Sequence, residues 1–296
     1  MKKFLPFTSN IKALMINILH KISKKFILPY IDKFTYSYYF DQPFAKKPIA
    51  NKEVYYSLAL NAERNTYSIQ DVDKLETQTG YAISRDWIKS LALHTQVVIK
   101  KSELNYAHGR VLYCVLAKYL EGLNKDKRIN ILETGTARGF SAMCMAKALD
   151  DFKFNGLIIS IDILPHNYPI LWNCVDDHVV GSQTRDNLLS KWKELSEKYV
   201  IFVQGFSKII LPKIGLNRIN FAFLDGVHTF EEAMNEFNHI SKFQKNNDVI
   251  IFDDYNEEQF PGIVKAVTII SKKSNYTINI IKNEKTKRNI AVAVKK

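Results

Sequence analysis

From Arg128 onward, short apolar runs alternate with segments whose apolar residues recur every three or four positions. That alternation predicts βαβ units around a parallel sheet. The runs place strands at 129–133, 157–162, 200–204, 220–225, 249–253, 276–281 and 289–294, with helices at about 140–149, 183–198, 207–213, 229–245 and 260–272. Between the sixth and seventh runs only the polar turn 283–288 intervenes, which leaves no room for a crossover helix. The last two strands are therefore expected to form an antiparallel hairpin. Residues 51–127 read as helical, with helical spacing in Trp87, Ile88, Leu91, Ala92 and in Val111, Leu112, Val115, Leu116. Residues 1–50 form a separate arm, with Ile11, Leu14, Met15, Ile18, Leu19 and Ile22 at amphipathic spacing. The expected organisation is thus an arm (1–50), a helical cap or substrate region (51–127) and an α/β domain (128–296).

Charge changes the picture only at the N-terminus. The chain has 296 residues and a formal net charge of +12. Nine lysines against Asp32 and Asp41 give residues 1–50 +7 of it. Three readings stand for this basic amphipathic arm: a helix docked on its own domain with solvated lysines, a membrane-surface contact, and a phosphate-backbone contact. Cys114, Cys144 and Cys174 have no disulfide-framework or zinc-ligand spacing, which points to a reducing compartment. No run reaches the roughly 20 apolar residues of a membrane span. Asn10 and Lys12 break the faint leader-like start at Met1–Phe7. A cytoplasmic protein is expected, with peripheral membrane contact through residues 1–50 as the variant and the oligomeric state left open.

The candidate chemistry begins at the turn after the first strand, Glu133-Thr-Gly-Thr-Ala-Arg-Gly139. Gly135 allows a tight turn, and Gly139 allows close backbone approach at a helix start. The spacing is neither that of a dinucleotide fingerprint nor that of a phosphate-cradling P-loop. Asp162 closes the second strand, where a carboxylate can accept both hydroxyls of a ribose. On these residues and the antiparallel last strand, the chain resembles the class I S-adenosylmethionine-dependent methyltransferases. The resemblance implies a Rossmann-like seven-stranded, mostly parallel sheet with an antiparallel last strand, preceded by a helical N-terminal region. It implies that Gly135, Thr136 and Gly139 line the methionine end of S-adenosylmethionine, that Glu133 serves its amino group or that group's water network, and that Asp162 serves its ribose. Gly205, Phe206 and Ser207 match the family's adenine-contacting turn.

Two further strand ends carry the reaction. Strand four ends in Leu224-Asp-Gly-Val-His228 and strand five in Phe252-Asp-Asp-Tyr255. In a parallel sheet both carboxyl ends open on one edge, so Asp225, Asp253 and Asp254 converge. Three clustered carboxylates suit a hard divalent cation such as Mg²⁺, which would lower the pKa of a substrate hydroxyl. His228 stands where a general base is needed, with Asp225 beside it. This second cluster is similar to that of the macrocin-type O-methyltransferases, which act on sugars and small molecules with a divalent metal; the resemblance implies that Asp225, Asp253 and Asp254 hold that metal. The Asp/Asn-Pro-Pro-Tyr/Phe pattern of amino-group methylation is absent after strand four. The expected function is metal-assisted methyl transfer to a hydroxyl of a sugar, glycoconjugate or small molecule. The alternatives are a non-catalytic module recruited by the arm and a nucleic-acid methyltransferase. For the acceptor, Tyr106, His108 and Arg110, and the long connection 164–185 with His166, Tyr168, Trp172, His178 and Arg185, are the expected contacts.

Overall fold

The computed structural model describes residues 47–100 and 103–296. The arm expected at 1–50 therefore lies almost wholly outside the described residues. Four helices come first: α1 (Lys52–Thr66), α2 (Gln70–Thr79), α3 (Arg85–Thr95) and α4 (Ala107–Glu121). Side-chain caps start two of them. The Asn51 carboxamide accepts from Val54 N at 3.2 Å, and the Ser84 hydroxyl accepts from Trp87 N at 3.5 Å. The sheet follows with β1 (Ile129–Thr134), α5 (Phe140–Asp151), β2 (Gly156–Asp162), α6 (Lys193–Tyr199), β3 (Val200–Gln204), β4 (Phe221–Leu224), α7 (Phe230–Ile240), β5 (Val249–Tyr255), α8 (Pro261–Lys273), β6 (Tyr276–Ile281) and β7 (Asn289–Lys295).

The strand order is β3-β2-β1-β4-β5-β7-β6. The first five strands are parallel, and β7 inserts antiparallel between β5 and β6. The hairpin expected from the polar turn is therefore present. It turns the charged tip 283–288 toward the carboxyl ends of the parallel strands.

The central strands read as unbroken apolar runs because both faces of the sheet are covered. Ile131, Phe221, Phe223 and Ile251 face one core, filled by Leu112 and Leu116 of α4 and Met143 of α5. Their neighbours Leu132, Ala222, Leu224, Ile250 and Phe252 face the other, filled by Phe237 of α7 and by Ile263 and Val267 of α8. Each such side chain contributes on the order of 2 kcal/mol on burial. The helices of 52–121 share the first core, so they are packed onto the sheet.

Two elements differ from expectation. The helix expected over 183–198 is broken into the single turn Arg185–Leu188, a 3₁₀ turn at Ser190–Trp192, and α6. Across the break Arg185, Leu188, Leu189 and Trp192 are all buried and keep the i, i+3, i+4, i+7 spacing of one helical face. In β5 the pairing register shifts between Phe252 and Tyr255, and Asp254 takes φ +54°. This bulge carries the strand two residues beyond its expected end and re-aims its acidic side chains. Among the described residues, no helix is long and apolar enough to cross a membrane.

Candidate active site

The turn after β1 is held in place from four sides. Gly135 has φ +89°, and a Cβ there would collide with the backbone carbonyl of Asp225 at the end of β4. Gly139 has φ +90° and caps α5; a Cβ there would lie 2.8 Å from Leu189 Cδ1. The close approach expected at Gly139 is thus made by Leu189. Ala137, with φ +44°, donates its N–H to Asp162 Oδ2 at 2.7 Å, and its carbonyl accepts from Arg185 Nε at 2.9 Å. Leu164 N donates to the other Asp162 oxygen at 2.7 Å. A carboxylate oxygen accepts more than one hydrogen bond, so Asp162 keeps acceptor capacity on both oxygens.

Glu133 lies beneath this turn, fully buried, its two oxygens accepting from the hydroxyls of Ser141 and Ser160. Ser160 is also paired with the Thr136 hydroxyl, so Glu133 and Thr136 form one buried network. Burial pushes the Glu133 carboxyl up to about 7, against the two serines. At the adenine-matching turn, Gly205 N donates to the Asp162 carbonyl at 2.7 Å and the Phe206 ring is exposed. Ser207 faces Glu236 of α7 instead. Glu236, which the sequence reading passed over, is buried under Gly226 beside Thr134, and burial pushes it to about 7.

The strand ends β4 and β5 do converge. His228 Nε2 lies 3.4 Å from Asp254 Oδ2 and 3.8 Å from Asp225 Oδ1, and its ring packs on Phe260 at 4.5 Å. Ligating atoms of Asp225, His228 and Asp254 all come within 4.8 Å of one another. Asp253 lines the same cavity beside them. Burial first, then the charges of Asp253 and Asp254, hold Asp225 well above the carboxylate range. Asp254 is raised for the same reasons, while Arg288 and His228 lower it. Arg288 is the residue the sequence reading missed: its guanidinium pairs with Asp254, with Nε 2.6 Å from Oδ1. It sits in the hairpin tip that reads as a solvated turn, and only the placement of β7 beside β5 reveals its role.

A cavity of about 240 Å³ joins the two clusters, with Ala137 and Arg138 of the glycine turn on one side and Asp225, Asp253 and Asp254 on the other. His108 lines it too, its ring wedged against Phe140 (4.9 Å) and Phe223 (6.2 Å), and burial lowers its pKa to about 3. Lys100 reaches its rim; desolvation and the Arg288 charge push its ammonium down, and the three carboxylates push it up.

Several expected acceptor contacts are instead structural. Arg110 is 3% exposed and tied to Asp73 (2.7 Å) and Glu76 (2.5 Å), so it joins α4 to α2. Tyr106 is buried edge-on to Phe140. In 164–185, Trp172 is buried with Ile170, Cys174 and Leu188 in a small core of its own, its Nε1 donating to the Gln183 carbonyl at 2.7 Å. Arg185 is buried against the glycine turn, where burial lowers its guanidinium to about 10 while Asp162 and Glu133 raise it. His166 stacks on Phe202 at 4.6 Å. Only Tyr168 and His178 of that set are exposed. The connection is long because it is a packed substructure.

The raised carboxyls set a pH dependence. A carboxyl whose folded pKa lies near 7 and unfolded pKa near 4.5 favours the folded state in its protonated form. Stability should therefore fall as pH rises from about 4.5 through 7, by on the order of 3 kcal/mol each for Glu133 and Glu236. Urea unfolding at pH 5 and pH 8 checks this, and Glu236→Gln should remove its share of the slope.

Residues 132–255, from β1 through the bulge of β5, match the family described as a methyltransferase domain. Comparison with curated proteins finds no match. Among solved structures, the O-methyltransferase TomG from Streptomyces achromogenes, in complex with SAM, is 15% identical with a TM-score of 0.48, covering 72% of this chain and 91% of that one. An O-methyltransferase from Bacillus cereus, in complex with SAH, is 15% identical with a TM-score of 0.46, covering 77% and 91%. The O-methyltransferase NovP is 15% identical with a TM-score of 0.49, covering 67% and 83%. The segment that matches the methyltransferase-domain family contains the glycine turn, the carboxylate closing β2 and both acidic strand ends.

Proposed function

We propose that this protein is a class I S-adenosylmethionine-dependent methyltransferase that acts on a hydroxyl of a sugar, glycoconjugate or other small molecule, assisted by a divalent cation. The observation that carries the reading is the single cavity bounded by the glycine turn and by the acidic ends of β4 and β5. The glycine turn, Asp162 and Phe206 hold the cofactor, with the methionine end over Gly135 and the ribose on the free lone pairs of Asp162. The sulfonium is a strong electrophile, so the acceptor oxygen attacks the methyl carbon directly and S-adenosylhomocysteine leaves with the electron pair. No covalent enzyme intermediate is needed, and positioning supplies most of the rate.

The donor set fits a divalent cation. Asp225 contributes a carboxylate, Asp254 keeps Oδ2 when Oδ1 is engaged by Arg288, and Asp253 borders the same space. Two or three carboxylate oxygens next to an imidazole suit Mg²⁺ or Mn²⁺. Asp225 is repelled by its two neighbours, which a cation would relieve. When bound there, a divalent cation stabilises negative charge on the acceptor oxygen. His228, held by Phe260 with Nε2 toward the two aspartates, takes the acceptor proton.

The test is methyl transfer from labelled S-adenosylmethionine to a panel of hydroxyl compounds, with the product identified as a methyl ether. His228→Ala should lower turnover by roughly 10²–10⁴-fold, the contribution of a positioned base, and leave S-adenosylhomocysteine affinity unchanged. Transfer only to amines, or full turnover by His228→Ala, would sink this reading.

A further inference from the structure

The cavity and the groove beside it hold more positive charge than their carboxylates balance. Lys100, Lys282 and Arg288 line the cavity with Asp225, Asp253 and Asp254, while Arg138, which also borders it, faces Asp177 and Asp162 and bonds the Trp172 carbonyl. Arg288 is committed to Asp254. Lys100 and Lys282 have no carboxylate within ion-pair distance of their ammonium groups among the described residues, although both border the cavity. A sulfonium cofactor and a divalent cation would both add positive charge to the same space. Half-buried His108, whose pKa desolvation lowers to about 3, adds none.

A second, open groove of about 610 Å³ shares Lys100 and runs outward between α1 and the hairpin tip. Arg64 and Lys285 line it, with Asn61, Asn65 and Ser68 as neutral hydrogen-bonding groups. Lys285 meets Glu103 at 3.4 Å, whereas the Arg64 guanidinium bonds the Asn61 carboxamide and pairs with no carboxylate among the described residues. Cations on three separate segments, α1, the irregular stretch containing Lys100, and the β6–β7 tip, therefore follow one path from the aspartates to solvent.

We propose that the acceptor is a phosphate or diphosphate ester of a sugar or small molecule, its anion held by Lys100 and Lys282 at the cavity rim with Arg64 and Lys285 farther out. This rests on the acceptor site proposed above. Several donors approaching from different directions match the many oxygens of a phosphate better than a planar carboxylate, and lysines serve phosphate as point charges. An uncharged acceptor would leave this charge excess unbalanced. An anionic one is attracted to the mouth, with its hydroxyl end directed inward toward the aspartates.

The experiment is calorimetric titration of the full-length, S-adenosylhomocysteine-saturated protein with pyrophosphate, with uridine diphosphate and with an uncharged hexose. Pyrophosphate should bind, and Lys100→Ala and Lys282→Ala should each weaken it roughly tenfold while leaving S-adenosylhomocysteine affinity and Tm unchanged. Uridine diphosphate binding tighter than pyrophosphate identifies a nucleotide-linked acceptor; equal binding identifies a simple phosphate ester. Absence of pyrophosphate binding, or binding unmoved by both variants (as attachment to the lysines of residues 1–46 would give), overturns the proposal. Failure of S-adenosylhomocysteine itself to bind would instead count against the cofactor assignment.

Discussion

Gly135→Ala is expected to destabilise the protein by roughly 2–5 kcal/mol and to remove cofactor binding. Two effects add. A non-glycine residue in the left-handed region costs roughly 1–2 kcal/mol, and forcing extra volume into a packed site costs about 1–3 kcal/mol. The second arises because the new Cβ would drive into the Asp225 carbonyl, pushing β1 and β4 apart where both clusters begin. Gly181→Ala separates the effects. It has φ +82° and nothing within 4 Å of an added Cβ, so it should show only the backbone cost, about 1–2 kcal/mol, and retain cofactor affinity. Urea unfolding and S-adenosylhomocysteine calorimetry on both variants read the difference. Equal losses in the two would mean that the contact between the glycine turn and β4 does not matter.

Asp225→Asn is expected to pull stability and activity in opposite directions. Asp225 is raised by burial and by two neighbouring carboxylates, so a neutral isostere relieves a repulsion, and at pH 8 the variant should unfold at higher urea than the wild type. Methyl transfer should nevertheless fall by at least about 10²-fold, the usual effect of losing one preorganised electrostatic group. Asp254→Asn should act differently on stability. Its φ of +54° suits asparagine, but Arg288 would lose its carboxylate partner, so this variant should be less stable than the wild type. A pair of variants one strand apart, equally damaging to transfer and opposite in stability, is hard to explain unless Asp225 is crowded and Asp254 is paired.

What was legible in the sequence follows from which interactions are local. The central strands could be read because burial on both faces demands continuous apolar runs, and the hairpin because its connection is too short for a crossover. The convergence of Asp225 with Asp254 follows from strand direction alone. The bulge that re-aims Asp254 does not, since nothing in Phe-Asp-Asp-Tyr encodes a positive φ at the second aspartate. Arg288 was hidden because pairing across β5 and β7 joins residues 34 apart, and a basic turn ordinarily means solvent. Trp172 and Arg185 were misread for a related reason. Stacking and anion-pairing side chains in a long connection suggest ligand contact, but here Trp172 fills a local core and Arg185 braces the carbonyl of Ala137. Glu236 carried no signal, because its helix reads as ordinarily amphipathic and its burial depends on Gly226 crossing above it.

The central claim is that cofactor and cation share one cavity. The most direct measurement is paramagnetic broadening of bound S-adenosylhomocysteine by Mn²⁺ in proton NMR. Mn²⁺ is expected to broaden the methionine-end resonances more than those of adenine, because the glycine turn borders the carboxylates and Phe206 lies beyond Asp162. Asp225→Asn should abolish the effect without releasing the ligand. Sharp methionine-end resonances at saturating Mn²⁺, or broadening unchanged in Asp225→Asn, would contradict that claim.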